Sequence, residues 1–211
     1  KLIYLANPDN PTGTYFTVEE FDRFMDKVPE RVLVILDEAY FEYAVKLNDY
    51  PDSMHYRYDN VITLRTFSKA YGLAGLRVGY GFAHADLINN LNKVKLPFEP
   101  SWLAQIGAIA ALDDDVYVKN TITTCHNGLQ EISSVFKEMD IEYIPSAANF
   151  LTLIFKENEE AEEFTKSMLQ HGVILRHLSG WGLPNCVRIT IGTEEENHFM
   201  IERLSQILST I

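Results

Sequence analysis

Arg31-Val32-Leu33-Val34-Ile35-Leu36-Asp37-Glu38-Ala39-Tyr40 is the stretch on which the fold turns. Val32 to Leu36 are all branched aliphatics, with no polar residue at every second position. A run of that kind reads as a strand buried on both faces, as in a parallel sheet. It stops at an acid. In open α/β sheets ligands bind beyond the carboxyl ends of the strands, so Asp37, with Glu38 and Tyr40 behind it, is a functional candidate. A helix cap or a loop carboxylate would look the same from position alone.

Similar runs flank it, at Val61 to Leu64 and Val78 to Phe82, with a further short one over residues 1–5. Helical signals lie between and beyond them. Thr17 reads as an N-cap, with Glu19 and Glu20 in the first turn and Phe21, Phe24 and Val28 on one face. Leu103 to Leu112 is a small-residue helix. Val118, Ile122, Cys125, Leu129, Ile132, Phe136 and Met139 are spaced alternately four and three residues apart, one stripe on a long helix from about Val116 to Met139. After it the pattern restarts. Strands are expected at 150–155, 173–175 and 187–191, and helices at 161–171 and 194–208. The expected class is α/β. Residues 1–125 form part of a larger domain, a mostly parallel sheet with helices on both faces. Residues 126–211 form a smaller α/β domain.

The bulk properties exclude several roles. The 211 residues carry a net charge of -12, with 46% hydrophobic and 23% charged residues. No Lys/Arg cluster suggests nucleic acid, and the acidic balance disfavours an anionic membrane surface. No segment approaches the roughly 20 apolar residues of a membrane helix. Cys125 and Cys186 fit neither a CxxC pair nor a disulfide framework. A reducing, cytoplasmic compartment is expected, with Cys125 a core thiol and no metal site. Lys1-Leu2-Ile3-Tyr4-Leu5-Ala6 begins inside an apolar run without a methionine or a signal-peptide layout, as expected of the C-terminal portion of a longer chain.

Lys69 also follows an apolar run. Thr66 and Ser68 precede it, and Arg77 follows the flexible Gly72-Leu73-Ala74-Gly75. Hydroxyls, a guanidinium and pliable backbone make a phosphate cradle. The lysine beside them is either an anion ligand or an amine that bonds to an aldehyde of the ligand. Asn10 lies in a loop stiffened by Pro8 and Pro11, which makes sense if one side chain must be held in place; a plain turn is the competing reading. Each piece is common, but the ordered set is not. Pyridoxal-phosphate chemistry needs such a set: an acid at the ring nitrogen, donors at the ring hydroxyl, an anion site and a lysine. Free lysine titrates near 10.4, so an amine of this kind must be perturbed by positive charge or desolvation to serve near neutrality.

At this point the chain resembles the fold-type I pyridoxal-phosphate-dependent aminotransferases. Asn7-Pro8-Asp9-Asn10-Pro11-Thr12-Gly13 is similar to their NPxNPTG loop, Asp37-Glu38-Ala39-Tyr40 to their DEAY segment, and Thr66 to Arg77 to their SxSK-to-Arg element. Within the family it looks most like the histidinol-phosphate aminotransferases. The stretches that suggest this are 73–80, Gly172 to Arg176, Gly182-Leu183-Pro184 and 187–193. The resemblance covers essentially the whole chain. It implies that Asp37 pairs with the pyridine nitrogen and that Asn10 and Tyr40 bond the ring hydroxyl. Thr66, Ser68 and Arg77 would hold the phosphate. Lys69 would be the Schiff-base lysine and the base of the 1,3-proton shift. Arg188 would bind the glutamate carboxylate, and Arg176 with Arg188 would face the substrate phosphate. The implied reaction passes an amino group from glutamate to imidazole-acetol phosphate in histidine biosynthesis. The implied assembly is a cytoplasmic homodimer with its active site at the subunit interface.

Two positions depart from the family pattern near the substrate arginines. His177 stands where proline is frequent, and Trp181 where tyrosine is usual. His177 is expected to face solvent without a catalytic role. The substrate-covering arm, a phosphate-binding helix start and the ring-stacking aromatic all lie upstream in the family, so the site is expected to be incomplete within these residues. Other readings are an aromatic aminotransferase or threonine-phosphate decarboxylase with the same cofactor set, or an inactive remnant or regulator.

Overall fold

The computed structural model describes residues 1–56 and 58–208. They form two compact units: residues 1–9 with 15–122, and residues 10–14 with 123 onward. The division falls between Ile122 and Thr123, and the short loop Asn10–Thr14 belongs with the second unit.

The first unit is built on β1 (Leu2–Ala6), β2 (Leu33–Asp37), β3 (Val61–Thr66) and β4 (Gly79–Ala83), side by side in that order. β1, β2 and β3 run parallel, with Ala6 opposite Asp37 and Asp37 opposite Leu64, so their carboxyl ends meet at one edge. β4 runs antiparallel to β3. The sheet is therefore mixed, whereas residues 78–82 read as another buried parallel run. The connection from β3 to β4 holds only a 3-10 turn at Ala74–Leu76. Without a crossover helix a neighbouring strand returns antiparallel.

Helix α1 (Val18–Met25) starts on a full capping box. Thr17 Oγ1 accepts from the Glu20 N–H, and Glu20 Oε2 accepts from the Thr17 N–H at 2.9 Å. Two otherwise orphaned donors are satisfied this way. Phe21 and Met25 then pack with Val34, Leu36 and Val61 into a buried cluster flanked by Ile3, Leu5, Tyr56 and Tyr58. Burial on β2 alternates, with Val34 and Leu36 fully enclosed and Leu33 and Ile35 only half-buried. The aliphatic run is thus not buried equally on both faces. On the face opposite α1, Leu2, Tyr4 and Leu64 are exposed. Three further helices complete this unit: α2 (Phe41–Ala44), α3 (Ala85–Val94) and α4 (Trp102–Leu112). Nothing in the sequence pattern marks α2 or α3. The first is a single turn, and the second buries no side chain.

Helix α5 (Asp115–Glu138) contains the division. In the second unit β5 (Tyr143–Ile144), β6 (Phe150–Ile154), β7 (Arg176–His177) and β8 (Cys186–Thr190) form an antiparallel sheet in the order β5-β6-β8-β7. Ile132 and Phe136 of α5, Phe164 and Met168 of α6 (Asn158–Gln170), and Leu204 of α7 (Glu194–Leu208) are buried, as are Phe150, Leu151 and Leu153 of β6. The strand expected at 173–175 begins only at Arg176. Gly172 turns left-handed at φ +87°, and the Val173 N–H still closes back onto the Met168 carbonyl at 2.9 Å. That C-terminal helix closure consumes the residues that would have paired.

Cys125 and Cys186 are both buried and unpaired. Burial pushes the Cys125 thiol up to about 12, so it stays protonated and unreactive. Among the described residues no helix is long and apolar enough to cross a membrane.

Candidate active site

In the first unit the chemistry-bearing residues gather at the edge where the parallel strands end. Asp37 closes β2, and its two oxygens are separately engaged. Oδ1 accepts from the Ala39 N–H at 3.1 Å, a local turn that fixes the rotamer. Oδ2 accepts from the Tyr4 hydroxyl. Partial desolvation of its hydroxyl end, with Asp37 adding to it, pushes the phenol of the otherwise exposed Tyr4 up to about 12, so it remains a donor throughout the neutral range. The sequence reading missed Tyr4. No sequence signal marked it, because only the strand register that sets Ala6 opposite Asp37 brings Tyr4 onto its face. Residues two apart share a face of the sheet.

Tyr40 is buried, and its ring lies 5.2 Å from Lys69 Nζ, within cation–π range. The loop after β3 is folded by its own hydroxyls. Thr66 Oγ1 accepts from the Ser68 N–H at 3.0 Å, and the Gly72 N–H closes onto the Lys69 carbonyl at 2.9 Å. Gly72 is required there. Its φ is +70°, and a Cβ would stand 2.4 Å from the Tyr117 hydroxyl. Arg77 takes the left-handed conformation at φ +52°. Its Nη1 donates to the Ala74 carbonyl at 2.8 Å and reaches Ser68 Oγ at 3.5 Å. Thr66, Ser68, Lys69 and Arg77 are thus folded into one loop, with the exposed guanidinium beside the serine hydroxyl. The arrangement offers an anion two hydroxyls and a charged fork, next to an amine.

Asn10, Arg176 and Arg188 lie in the second unit. The Asn10 loop is tied to β6 by Thr152 Oγ1, which donates to the Pro11 carbonyl at 2.6 Å, and to the connection before β6 by the Ala147 N–H, which donates to the Gly13 carbonyl at 2.8 Å. Gly13 sits at φ +76°, with Ser146 where a Cβ would be. The Asn10 carboxamide oxygen accepts from Arg188 Nη1. The sequence reading grouped Asn10 with Tyr40; its side-chain partner in this structure is Arg188. Arg176 and Arg188 stand directly opposite each other across β7 and β8. Like charges so placed repel, and an anion bound by both would offset that repulsion. Arg188 Nε is also buried with no hydrogen-bond partner. An unspent buried donor carries a desolvation cost that a ligand oxygen would relieve. The Arg188 guanidinium lies over Phe150, its Cζ 4.9 Å from the ring centre.

His177 does not face solvent as expected. Its ring is half-buried, and Nε2 lies 2.6 Å from the Pro184 carbonyl, which fixes a proton on that nitrogen. Trp181 sits on the 3-10 turn Ser179–Trp181 and is half-exposed.

Residues 1–204 match the family described as aminotransferase class I and II. The chain is 46% identical to histidinol-phosphate aminotransferase 2 of Carboxydothermus hydrogenoformans over 213 residues, covering 100% of this chain and 58% of that protein. It is 44% identical to histidinol-phosphate aminotransferase 1 of Nitrosococcus oceani, covering 99% and 56% respectively. Among solved structures it is similar to histidinol-phosphate aminotransferase from Sinorhizobium meliloti in complex with pyridoxal-5′-phosphate. There the TM-score is 0.90 at 33% identity, over 99% of this chain and 57% of the other. The chain thus spans somewhat more than half the length of the relatives it matches.

Proposed function

Because the chain belongs to the class I and II aminotransferase family, we propose that the full-length polypeptide is a pyridoxal-phosphate-dependent histidinol-phosphate aminotransferase. It would move an amino group between glutamate and imidazole-acetol phosphate in histidine biosynthesis. The observation that carries this reading is the loop Thr66 to Arg77 folded beside Asp37 at the carboxyl ends of adjacent parallel strands. The names of the relatives support the choice of substrate.

The donor set fits the cofactor. Asp37 is an acid with a fixed rotamer, suited to a protonated ring nitrogen. Thr66, Ser68 and Arg77 suit a phosphate, and Lys69 an aldehyde. When bound, the cofactor supplies that aldehyde and a protonated ring able to draw an electron pair from the substrate carbon. Asp37 keeps the ring nitrogen protonated, and Tyr4 holds the carboxylate in place for that task. Tyr40 and Asn10 bind the ring hydroxyl. Lys69 would hold the cofactor's aldehyde and, once the substrate's amine displaces it there, its Nζ would take the proton from the substrate's α-carbon and pass it on in the 1,3-shift. Arg188 binds the carboxylate of glutamate through its unspent Nε–H, and Arg176 with Arg188 receives the phosphate of the second substrate. Each charge-assisted bond is worth roughly 1.5–3 kcal/mol.

The same reading makes the protein a cytoplasmic homodimer. Borohydride reduction of the full-length polypeptide loaded with pyridoxal phosphate should leave the adduct on Lys69. Lys69→Ala should abolish both adduct and turnover. An adduct elsewhere would overturn the assignment, and preference for aromatic amino acids or threonine phosphate over histidinol phosphate would replace the substrate.

A further inference from the structure

Arg65 immediately precedes the Thr66–Lys69 loop, yet on β3 its side chain points to the face opposite Leu64 and Thr66. There it meets the neighbours of the other proposed cofactor residues. Its Nε donates to Glu38 Oε2 at 2.8 Å, and Glu38 follows Asp37. Its Cζ lies 3.3 Å from the centre of the Phe41 ring, and Phe41 follows Tyr40. Its Nη2 bonds Glu38 Oε2 at 2.8 Å and Asp52 Oδ1 at 3.0 Å. Glu38 is 0% and Arg65 8% exposed.

We infer that Arg65 is a positioning residue, a buried clamp that ties the segments bearing Asp37, Tyr40 and Thr66 to Lys69 together from behind the cofactor residues. A guanidinium is suited to this. Its planar fork satisfies two carboxylates while its flat face stacks on a ring. Removing one partner of a buried pair leaves the other charge uncompensated, so the contact tolerates little drift. Positions beside Asp37, Tyr40 and Thr66 are therefore linked through one side chain, and a shift in one segment is felt by the others. Glu42, also buried, faces the same charge. Burial pushes it up to about 7, which keeps a third full negative charge out of the cluster in mildly acidic solution. Tyr50, Tyr71 and Tyr80 complete the titratable groups around it.

The consequence for the cofactor rests on the functional reading above; the clamp itself does not. Hydrogen exchange on the cofactor-free full-length polypeptide tests the clamp directly. Arg65→Met should speed exchange about tenfold in peptides covering residues 37–41 and 66–70, with α1 unchanged. With pyridoxal phosphate added, its affinity should fall about tenfold or more. The pH midpoint of its absorption band should also move, and Arg65→Lys should recover part of both losses. If Arg65→Met does not fold, Asp52→Asn removes the half-exposed arm and should give the same changes, smaller. A clamp of purely structural effect would lower the melting temperature while affinity, spectral midpoint and exchange at 37–41 and 66–70 match wild type. That result overturns the inference. A wild-type protein that takes up no cofactor would fail the functional reading instead, and the exchange data would still decide the clamp.

Discussion

Glu42 is enclosed on α2, with Oε2 buried and lacking a hydrogen-bond partner. Burial raises its pKa from 4.5 to about 7, and Glu38 adds to the rise while Arg65 opposes it. The folded state therefore holds this proton more tightly than the unfolded chain. The sign follows: stability is fullest below about pH 4.5 and is lost as the pH climbs through 7. The loss on this account is at most about 3 kcal/mol. Glu38, raised by burial against the pull of Arg65, acts in the same direction. Denaturant unfolding between pH 5 and 8 should show stability falling with pH. Glu42→Gln should flatten the slope and unfold later than wild type at pH 8. A variant as pH-sensitive as wild type would mean that Glu42 titrates normally. None of this was legible in the sequence, which carries no helix signal over Phe41–Ala44 and so nothing that marks Glu42 for burial.

At the scale of elements, α1 illustrates how local and tertiary terms divide. Its start was legible, because Thr17 and Glu20 satisfy each other's backbone donors whatever surrounds them. Its anchoring depends on Phe21, which is fully buried and stacks on Phe16 and Tyr56 with ring centres 5.4 and 4.9 Å away. Thr17→Ala should cost about 1 kcal/mol and Phe21→Ala about 3–5 kcal/mol. Chemical denaturation measures both, and equal losses would contradict the view that packing outweighs the cap. β4 and β7 are the elements that the pattern misassigned. Gly-Tyr-Gly-Phe looks like a buried run, but it lies antiparallel at the end of the sheet order with its first residues exposed. Of the apolar residues 173–175, Val173 still bonds back to α6, and the strand starts only at Arg176.

For the molecule as a whole, charge sets two fields in opposition. The net charge of -12 on these 211 residues repels anions at long range, while Arg77, Arg176 and Arg188 are the proposed local anion sites. Screening separates the two, since the Debye length shrinks from about 30 Å at 0.01 M salt to about 10 Å at 0.1 M. If the arginines dominate, affinity for pyridoxal phosphate and for a phosphate-bearing substrate weakens as salt is added over that range. Titration at several salt concentrations decides this. Tighter binding at high salt would mean that the global field wins and that these arginines are not the anion sites.

The sequence alone determined the α/β class, the strand-terminal Asp37, and the loop from Thr66 through Lys69 to Arg77. Their signals are local: a run of aliphatics, the acid that ends it, and a short span of hydroxyls, amine and guanidinium fixed by covalent spacing. Tertiary structure decided which residues share a face or a cluster. It put the Tyr4 hydroxyl on Asp37, drew Glu38, Asp52 and Phe41 around Arg65, set Arg176 opposite Arg188, and gave the Asn10 loop to the second unit. Those contacts join residues up to 178 positions apart. They depend on strand register and on the turn of each helix end, which no short stretch of chain encodes by itself.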